Sequence, residues 1–96
     1  MEVYLSLRAE KKLQKLIYYL LENWNDKVVS NFLEKLDKKF MQISNFPKSC
    51  PFSSKRNIYK CIVSKQTSFY YRLKNNEIEI ITFFDNRQDF KNHFCM

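Results

Sequence analysis

Three β-rich runs follow one another in the second half of the chain: Asn57-Ile-Tyr-Lys-Cys-Ile-Val-Ser64, Thr67-Ser-Phe-Tyr-Tyr-Arg-Leu-Lys74 and Glu77-Ile-Glu-Ile-Ile-Thr-Phe-Phe84. Two-residue polar breaks, Lys65-Gln66 and Asn75-Asn76, separate them. Runs of this kind between short polar breaks are typical of antiparallel strands joined by hairpins. The chain has no glycine, so asparagine must supply the positive φ that a tight turn needs. The stretch therefore predicts three antiparallel strands.

The second turn fixes the pairing of the last two strands. With Asn75 and Asn76 as the loop residues, Arg72 lies opposite Glu79 as an opposite-charge pair. The other face then carries a mostly apolar set of pairs: Leu73 with Ile78, Tyr71 with Ile80 and Phe69 with Thr82. The charged face also carries three large side chains: Tyr70, Ile81 and Phe83. This is more apolar surface than a solvated face needs, so we expect a partner to cover it.

The first turn leaves the place of Lys60 open. A two-residue loop at Lys65-Gln66 puts Lys60 on the same face as Ile58 and Ile62. In that register the side chain must extend past the sheet edge, and the alternative is a bulged register.

The first half of the chain predicts a strand followed by a helical hairpin. Val3 to Leu5 is short and β-prone, and Ser6 stands where a helix N-cap is expected. Asn25-Asp26 can end the first helix and cap the second. Apolar residues then recur at helical spacing in a first helix, from about Leu7 to Trp24, and in a second that ends near Ser44: Ala9, Leu13, Leu16, Ile17, Leu20, Trp24, Val29, Phe32, Leu33, Leu36, Phe40 and Ile43. Three aromatic side chains of the first helix are interpreted as packing residues: Tyr18, Tyr19 and Trp24.

The connection from Lys48 to Arg56 contains prolines and serines and is expected to be a loop. The complete prediction is a single α+β domain over residues 1–96, in the order β-α-α-β-β-β. The helical hairpin packs on one face of an antiparallel sheet, and the first strand pairs at its edge or centre.

Positive charge is concentrated in one part of the sequence. Nine Lys or Arg and no acid occur from Lys38 to Lys74, whereas the rest of the chain has eight bases and ten acids. A charge distribution this uneven favours a polyanion or an acidic protein as partner.

The three cysteines, Cys50, Cys61 and Cys95, are an odd number without C-x-x-C spacing, and the chain has one histidine. This pattern supports neither a disulfide framework nor a metal site, and no cofactor is expected. Cys61 is interpreted as a small core residue. Reduced thiols, the absence of a signal-like leader and the absence of a long apolar run predict a cytoplasmic protein that does not enter the membrane.

The whole pattern resembles the RelE/ParE superfamily of bacterial type II toxins, and most of all its ParE-type branch. The likeness rests on four stretches: Val3-Tyr4-Leu5-Ser6 with the first helix, the loop at Pro47, Lys65-Gln66-Thr67-Ser68-Phe69-Tyr70-Tyr71-Arg72, and Glu79-Ile80-Ile81-Thr82-Phe83-Phe84-Asp85-Asn86-Arg87-Gln88. The resemblance implies a growth-inhibiting toxin held in check by a small antitoxin. An acidic, partly apolar antitoxin segment suits the charge and the exposed apolar residues.

The superfamily divides by target. ParE-type members bind and stall DNA gyrase, and they need no catalytic group. RelE-type members cleave mRNA on the ribosome, and for that chemistry the resemblance implies Arg87 and His93 as catalytic residues. Ser68 occupies the place of their middle-strand arginine. This departure favours gyrase as the target, with the endoribonuclease as the alternative.

A basic RNA-binding module is a third hypothesis, because aromatic residues beside bases can form a stacking platform. Whichever partner binds, the expected contact residues are the exposed bases and apolar residues of the loops and strands: Lys55, Arg56, Lys60, Lys65, Tyr70, Arg72, Ile81 and Phe83.

Overall fold

The computed structural model describes residues 1–85. Along the chain these form seven elements: β1 (Glu2–Leu5), α1 (Leu7–Asn23), α2 (Asp26–Asn45), β2 (Phe52–Ser53), β3 (Ile58–Ile62), β4 (Thr67–Lys74) and β5 (Glu77–Asp85). The predicted α+β class and the helical hairpin are confirmed.

Both helices begin at the predicted caps. The Ser6 hydroxyl oxygen accepts a hydrogen bond from the Ala9 amide at 3.0 Å, and the Asn25 side-chain oxygen accepts one from the Val28 amide at 3.0 Å. Each bond satisfies one amide that the first helical turn leaves without a partner. The helices end within one residue of the expected positions.

The sheet is mixed rather than fully antiparallel. Its strand order is β1-β5-β4-β3-β2, and β1 pairs with β5 in parallel, with Val3 beside Ile78. The remaining pairs are antiparallel. A four-residue strand carries no local signal of its partner's direction, which here is set by the path through the helical hairpin. β2 was also missed, because its two residues lie in a segment with loop composition.

The β3–β4 connection is bulged. The amides of Val63 and Ser64 both donate to the Thr67 carbonyl, at 2.9 and 3.1 Å, so two residues of one strand oppose one of the other. Lys60 consequently pairs with Tyr70 instead of Tyr71. The simple two-residue loop is wrong and the bulged alternative is confirmed, with Lys60 on the face opposite the helices.

The β4–β5 hairpin follows the prediction up to Ile80 and departs from it afterwards. Asn75 and Asn76 have φ of 53° and 63°, and Arg72 pairs with Glu79 as expected. A bulge then inserts Ile81, so Phe69 lies opposite Phe83 rather than Thr82. Phe83 is therefore a core residue, 3% exposed, and its predicted place on the charged face is wrong.

The core lies between the helices and one sheet face. It contains Cys61, as predicted, and a cluster of rings in contact: Phe40–Phe69 edge to face at a centroid distance of 5.4 Å, Phe69–Phe83 tilted at 5.7 Å and Tyr59–Tyr71 stacked at 4.9 Å. Tyr18, Tyr19 and Trp24 do not pack there. All three side chains are exposed: Tyr18 and Tyr19 lie outside the angular range of the buried stripe, and Trp24 is the C-cap residue, beyond the last turn of α1.

Within residues 1–85, no helix is long and apolar enough to cross a membrane.

Candidate interaction surface

The outer face, defined as the sheet face turned away from α1 and α2, carries most of the predicted contact residues on the strands. The alternation of β3 and β4 places Lys60, Tyr70 and Arg72 on it. The bulge in β5 brings Thr82 and Phe84 to the same side, opposite Tyr70 and Ser68. The register of β3 and β4 and the bulge in β5 therefore determine which side chains form this surface.

A cation and two rings form the centre of the outer face. The Tyr70 and Phe84 rings stack with centroids 4.7 Å apart, and the Lys60 ammonium lies 5.3 Å from the Phe84 centroid. Such contacts hold a lysine side chain over an apolar platform while the charge remains available to a partner. We call Lys60, Tyr70 and Phe84 the cation–aromatic cluster.

A row of polar side chains crosses the outer face beside this cluster. Tyr4 of β1 lies next to Glu79, and Glu79 lies next to Arg72. The Arg72 Nε atom is 2.6 Å from the Glu79 Oε1 atom. Partial burial, reinforced by the Glu79 carboxylate, raises the pKa of Tyr4. Arg72 therefore presents less net positive charge than an unpaired arginine would.

The predicted basic residues do not form one cluster. Lys55 and Arg56 are exposed in the turn between β2 and β3, and the Arg56 amide donates to the Ser53 hydroxyl at 3.4 Å. Lys65 lies in the loop at the other end of β3. Five strand residues separate these positions, roughly 16 Å of extended chain. A partner that contacts all of them must span the sheet.

Ile81 has a structural role that was not predicted. It is the extra residue of the β5 bulge, and its carbonyl accepts a hydrogen bond from the Ser6 hydroxyl at 2.8 Å. The neighbouring Ile80 carbonyl accepts one from the Ser6 amide at 3.0 Å. The start of α1 thus holds the bulge that turns Phe83 inward and Phe84 outward.

Phe84 is the residue that sequence reasoning missed. The signal was present in Ile80-Ile81, two adjacent apolar residues that break the strand alternation and are compatible with a bulge. Arg87 and His93 lie outside the residues that the structure describes. Between residues 1 and 85, no group of three His, Cys, Asp or Glu side chains is arranged to hold a metal ion.

A second basic feature lies on α1, outside the charge-rich segment. An open groove of about 500 Å³ runs along the helix, lined by Leu7 and four bases at helical spacing: Arg8, Lys11, Lys12 and Lys15. Repeats of three and four residues put these side chains on one side of the helix. The helix therefore presents its own positive surface.

The sequence and the fold both match known proteins. A family model described as the ParE toxin of the type II toxin–antitoxin system parDE matches residues 3–90. Among curated proteins, none has a sequence that matches this chain significantly.

Three similar solved structures cover nearly the whole chain. The chromosomal ParDE system of P. aeruginosa has a TM-score of 0.73 at 11% identity, over 88% of this chain and 95% of that one. A YoeB/ParE toxin from Agrobacterium tumefaciens has a TM-score of 0.64 at 13% identity, over 90% and 99%. YafQ from E. coli has a TM-score of 0.56 at 13% identity, over 93% and 97%. At such identities the likeness shows a shared fold.

Proposed function

This chain belongs to the ParE toxin family of type II toxin–antitoxin systems, and we propose that it inhibits bacterial growth by binding DNA gyrase in the cytoplasm. A cognate antitoxin follows from membership of the family. The proposal extends to the antitoxin's character, which is acidic and partly apolar, and to the surface that meets the target.

The gyrase proposal rests on the charge available at two positions of β4, Ser68 and Arg72. Ser68, at the position of the middle-strand arginine of the ribonuclease branch, is fully buried and has no charge. Arg72, four residues later, is paired with Glu79. Phosphoryl-transfer chemistry needs positioned charge aimed at the reacting phosphate, and neither residue supplies it as found here.

The cation–aromatic cluster suits binding rather than cleavage. Lys60, Tyr70 and Phe84 offer rings and aliphatic stems around one positive charge, the composition that is enriched at the centres of protein interfaces. In the proposed complex this cluster contacts gyrase.

Two separate basic surfaces support the proposal that the antitoxin is acidic. The turn with Lys55 and Arg56 and the α1 groove with its four bases both present positive charge. Exposed aromatic residues of α1, such as Tyr18 and Trp24, add apolar area that a folding-upon-binding segment can cover.

An mRNA endoribonuclease is the second candidate. Lys60 on the outer face, together with Arg87 and His93 in the remaining sequence, provides groups of the right chemistry, and the fold is shared with YafQ. If the protein is such an enzyme, Arg87→Ala should slow ribosome-dependent mRNA cleavage by ~100-fold or more while the domain stays folded.

Assays on the purified protein distinguish the gyrase inhibitor from the endoribonuclease. We expect it to inhibit gyrase supercoiling and stabilise DNA breaks, and to leave mRNA on ribosomes intact. Lys60→Met should weaken gyrase inhibition, whereas the matched control Lys27→Met, at the start of α2, should not. Rapid mRNA cleavage with supercoiling untouched would reverse the choice of target.

The antitoxin proposal has its own test. Co-expression of the acidic protein encoded beside the toxin should restore growth, and the purified complex should weaken steeply with rising salt because exposed charges dominate the encounter. A complex insensitive to salt would contradict the electrostatic part of the proposal.

A further inference from the structure

Cys50 and Cys61 are brought face to face by the pairing of β2 with β3. Phe52 pairs with Tyr59, and the Lys60 amide donates to the Pro51 carbonyl at 3.0 Å, which extends the same register by one residue. One further step places Cys50 opposite Cys61. Both cysteines are free thiols in this structure.

The positions of Cys50 and Cys61 permit a disulfide bond between the two strands. Because Pro51 and Lys60 are joined by a hydrogen bond, the next pair is a non-hydrogen-bonded one, in which Cα atoms of antiparallel strands are about 4.5 Å apart. Disulfides require a Cα separation of roughly 4.4 to 6.8 Å. Cys61 is buried in the core, and Cys50 is half-buried and packs against the same cluster.

A hydrogen bond holds the Cys50 segment against the sheet. The Tyr71 hydroxyl donates to the Pro47 carbonyl at 2.8 Å, three residues before Cys50. Together with the bond at Pro51, this fixes the chain on both sides of the thiol. The two sulfur atoms are therefore held near each other by the fold.

We propose that Cys50 and Cys61 form an intramolecular disulfide when the protein meets a low-molecular-weight disulfide such as oxidised glutathione. The Cys50 thiolate attacks one sulfur of the oxidant, breaks its S–S bond and releases one thiol. The Cys61 thiolate then attacks the Cys50 sulfur, forms the protein disulfide and releases the second thiol. Two electrons pass from the cysteine sulfurs to the oxidant, and the two protons leave on the released thiols.

Accessibility sets the order of the two steps. Cys61 is 1% exposed, and burial, with a contribution from the nearby Cys50 thiol, raises its pKa to about 12. It is therefore a poor first nucleophile, whereas Cys50 is accessible from solvent. The bond closes the segment of residues 51–60, which contains Lys55 and Arg56, so oxidation stiffens the basic turn.

The test uses a Cys95→Ser background, treated with oxidised glutathione at pH 8, alkylated and digested with trypsin without reduction. The expected product links residues 49–55 to residues 61–65. The melting temperature should rise by roughly 10 °C, as expected for a cross-link that closes a loop of this length, and fall back with dithiothreitol.

Two variants make the result decisive. Cys50→Ser should abolish the linked peptide, and Cys61→Ala, which keeps a small apolar side chain in the core, should stop at a glutathione adduct on Cys50. A folded parent protein that yields only that adduct, or only disulfide-linked dimers, would overturn the proposal.

Discussion

The Arg72 and Glu79 side chains form a close ion pair across the β4–β5 hairpin, with 2.6 Å between the Nε and Oε1 atoms. The pair lies on the outer face, next to Tyr4. It confirms the register that the two-asparagine turn predicted. The ion pair also engages Arg72, which was predicted to contact the target.

The first prediction concerns the strength of this pair. The Arg72 side chain is 46% exposed, so water screens the charge and the pair should contribute little to stability. A double-mutant cycle with Arg72→Ala and Glu79→Ala, followed by urea unfolding, should give a coupling energy of about 0.2 to 1 kcal/mol. A coupling of several kcal/mol would mean that the pair is far less hydrated than its exposure indicates.

The second prediction concerns the hairpin turn. Asn75 and Asn76 both have positive φ, which penalises residues with a Cβ atom but not glycine. Asn76→Gly should therefore leave the free energy of unfolding unchanged or raise it by roughly 0.5 to 1 kcal/mol. Asn76→Ala, the control, should lower it by about 1 kcal/mol. Clear destabilisation by glycine would be incompatible with this turn.

The third prediction tests the bulge at Ile81. Phe83 lies in the core and Phe84 on the outer face, so Phe83→Ala should cost about 3 to 5 kcal/mol of unfolding free energy. Phe84→Ala should cost only about 1 kcal/mol, the contribution of a partly buried stacked ring. Chemical denaturation of both variants measures the contrast. Regular alternation without a bulge predicts the reverse order.

The fourth prediction is a loss of stability in alkali. Burial raises the pKa of Cys61 from 9.0 to about 12 and also raises the pKa of Tyr71. Because the folded state favours the neutral thiol, the contribution of Cys61 is complete below pH 9 and is lost as the pH rises towards 12.

Urea unfolding at pH 8 and pH 10 measures this loss. Cys61→Ala removes the titrating thiol and keeps the core closed, so its unfolding free energy should fall less between the two pH values than that of the parent. Equal losses in the two proteins would show that the thiol does not contribute. Tyr71, whose ordinary pKa is 10.0, is common to both.

Local patterns predicted most of the fold, and they failed where the register depends on distant residues. Ser6, Asn25 and the Asn75-Asn76 turn act through their immediate neighbours, so their chemistry can be inferred from a few adjacent positions. The bulge at Ile81 is held by Ser6, 75 positions away in the sequence. No pattern within a strand contains that contact.

Most residues of the candidate surface were named from the sequence, but their arrangement on the sheet was not predicted. Lys60, Tyr70 and Arg72 were predicted to contact a partner, and all three lie on the outer face. Phe83 and Phe84 exchange roles, because one inserted residue reverses the faces of everything that follows it in the strand. The Ile80-Ile81 step is compatible with a bulge but does not require one, so the sequence alone does not decide which of the two aromatic residues faces the core.

The parallel pairing of β1 with β5 has a consequence for the synthesis of this protein. Among the described strands, β1 (Glu2–Leu5) pairs only with β5 (Glu77–Asp85), whose residues are among the last described ones to leave the ribosome. Contacts of such sequence separation form late, after the loop-closure entropy has been overcome. The sheet of the nascent toxin therefore cannot be complete until β5 has left the ribosome. That delay is an interval in which an antitoxin already present in the cell can capture the chain as it folds.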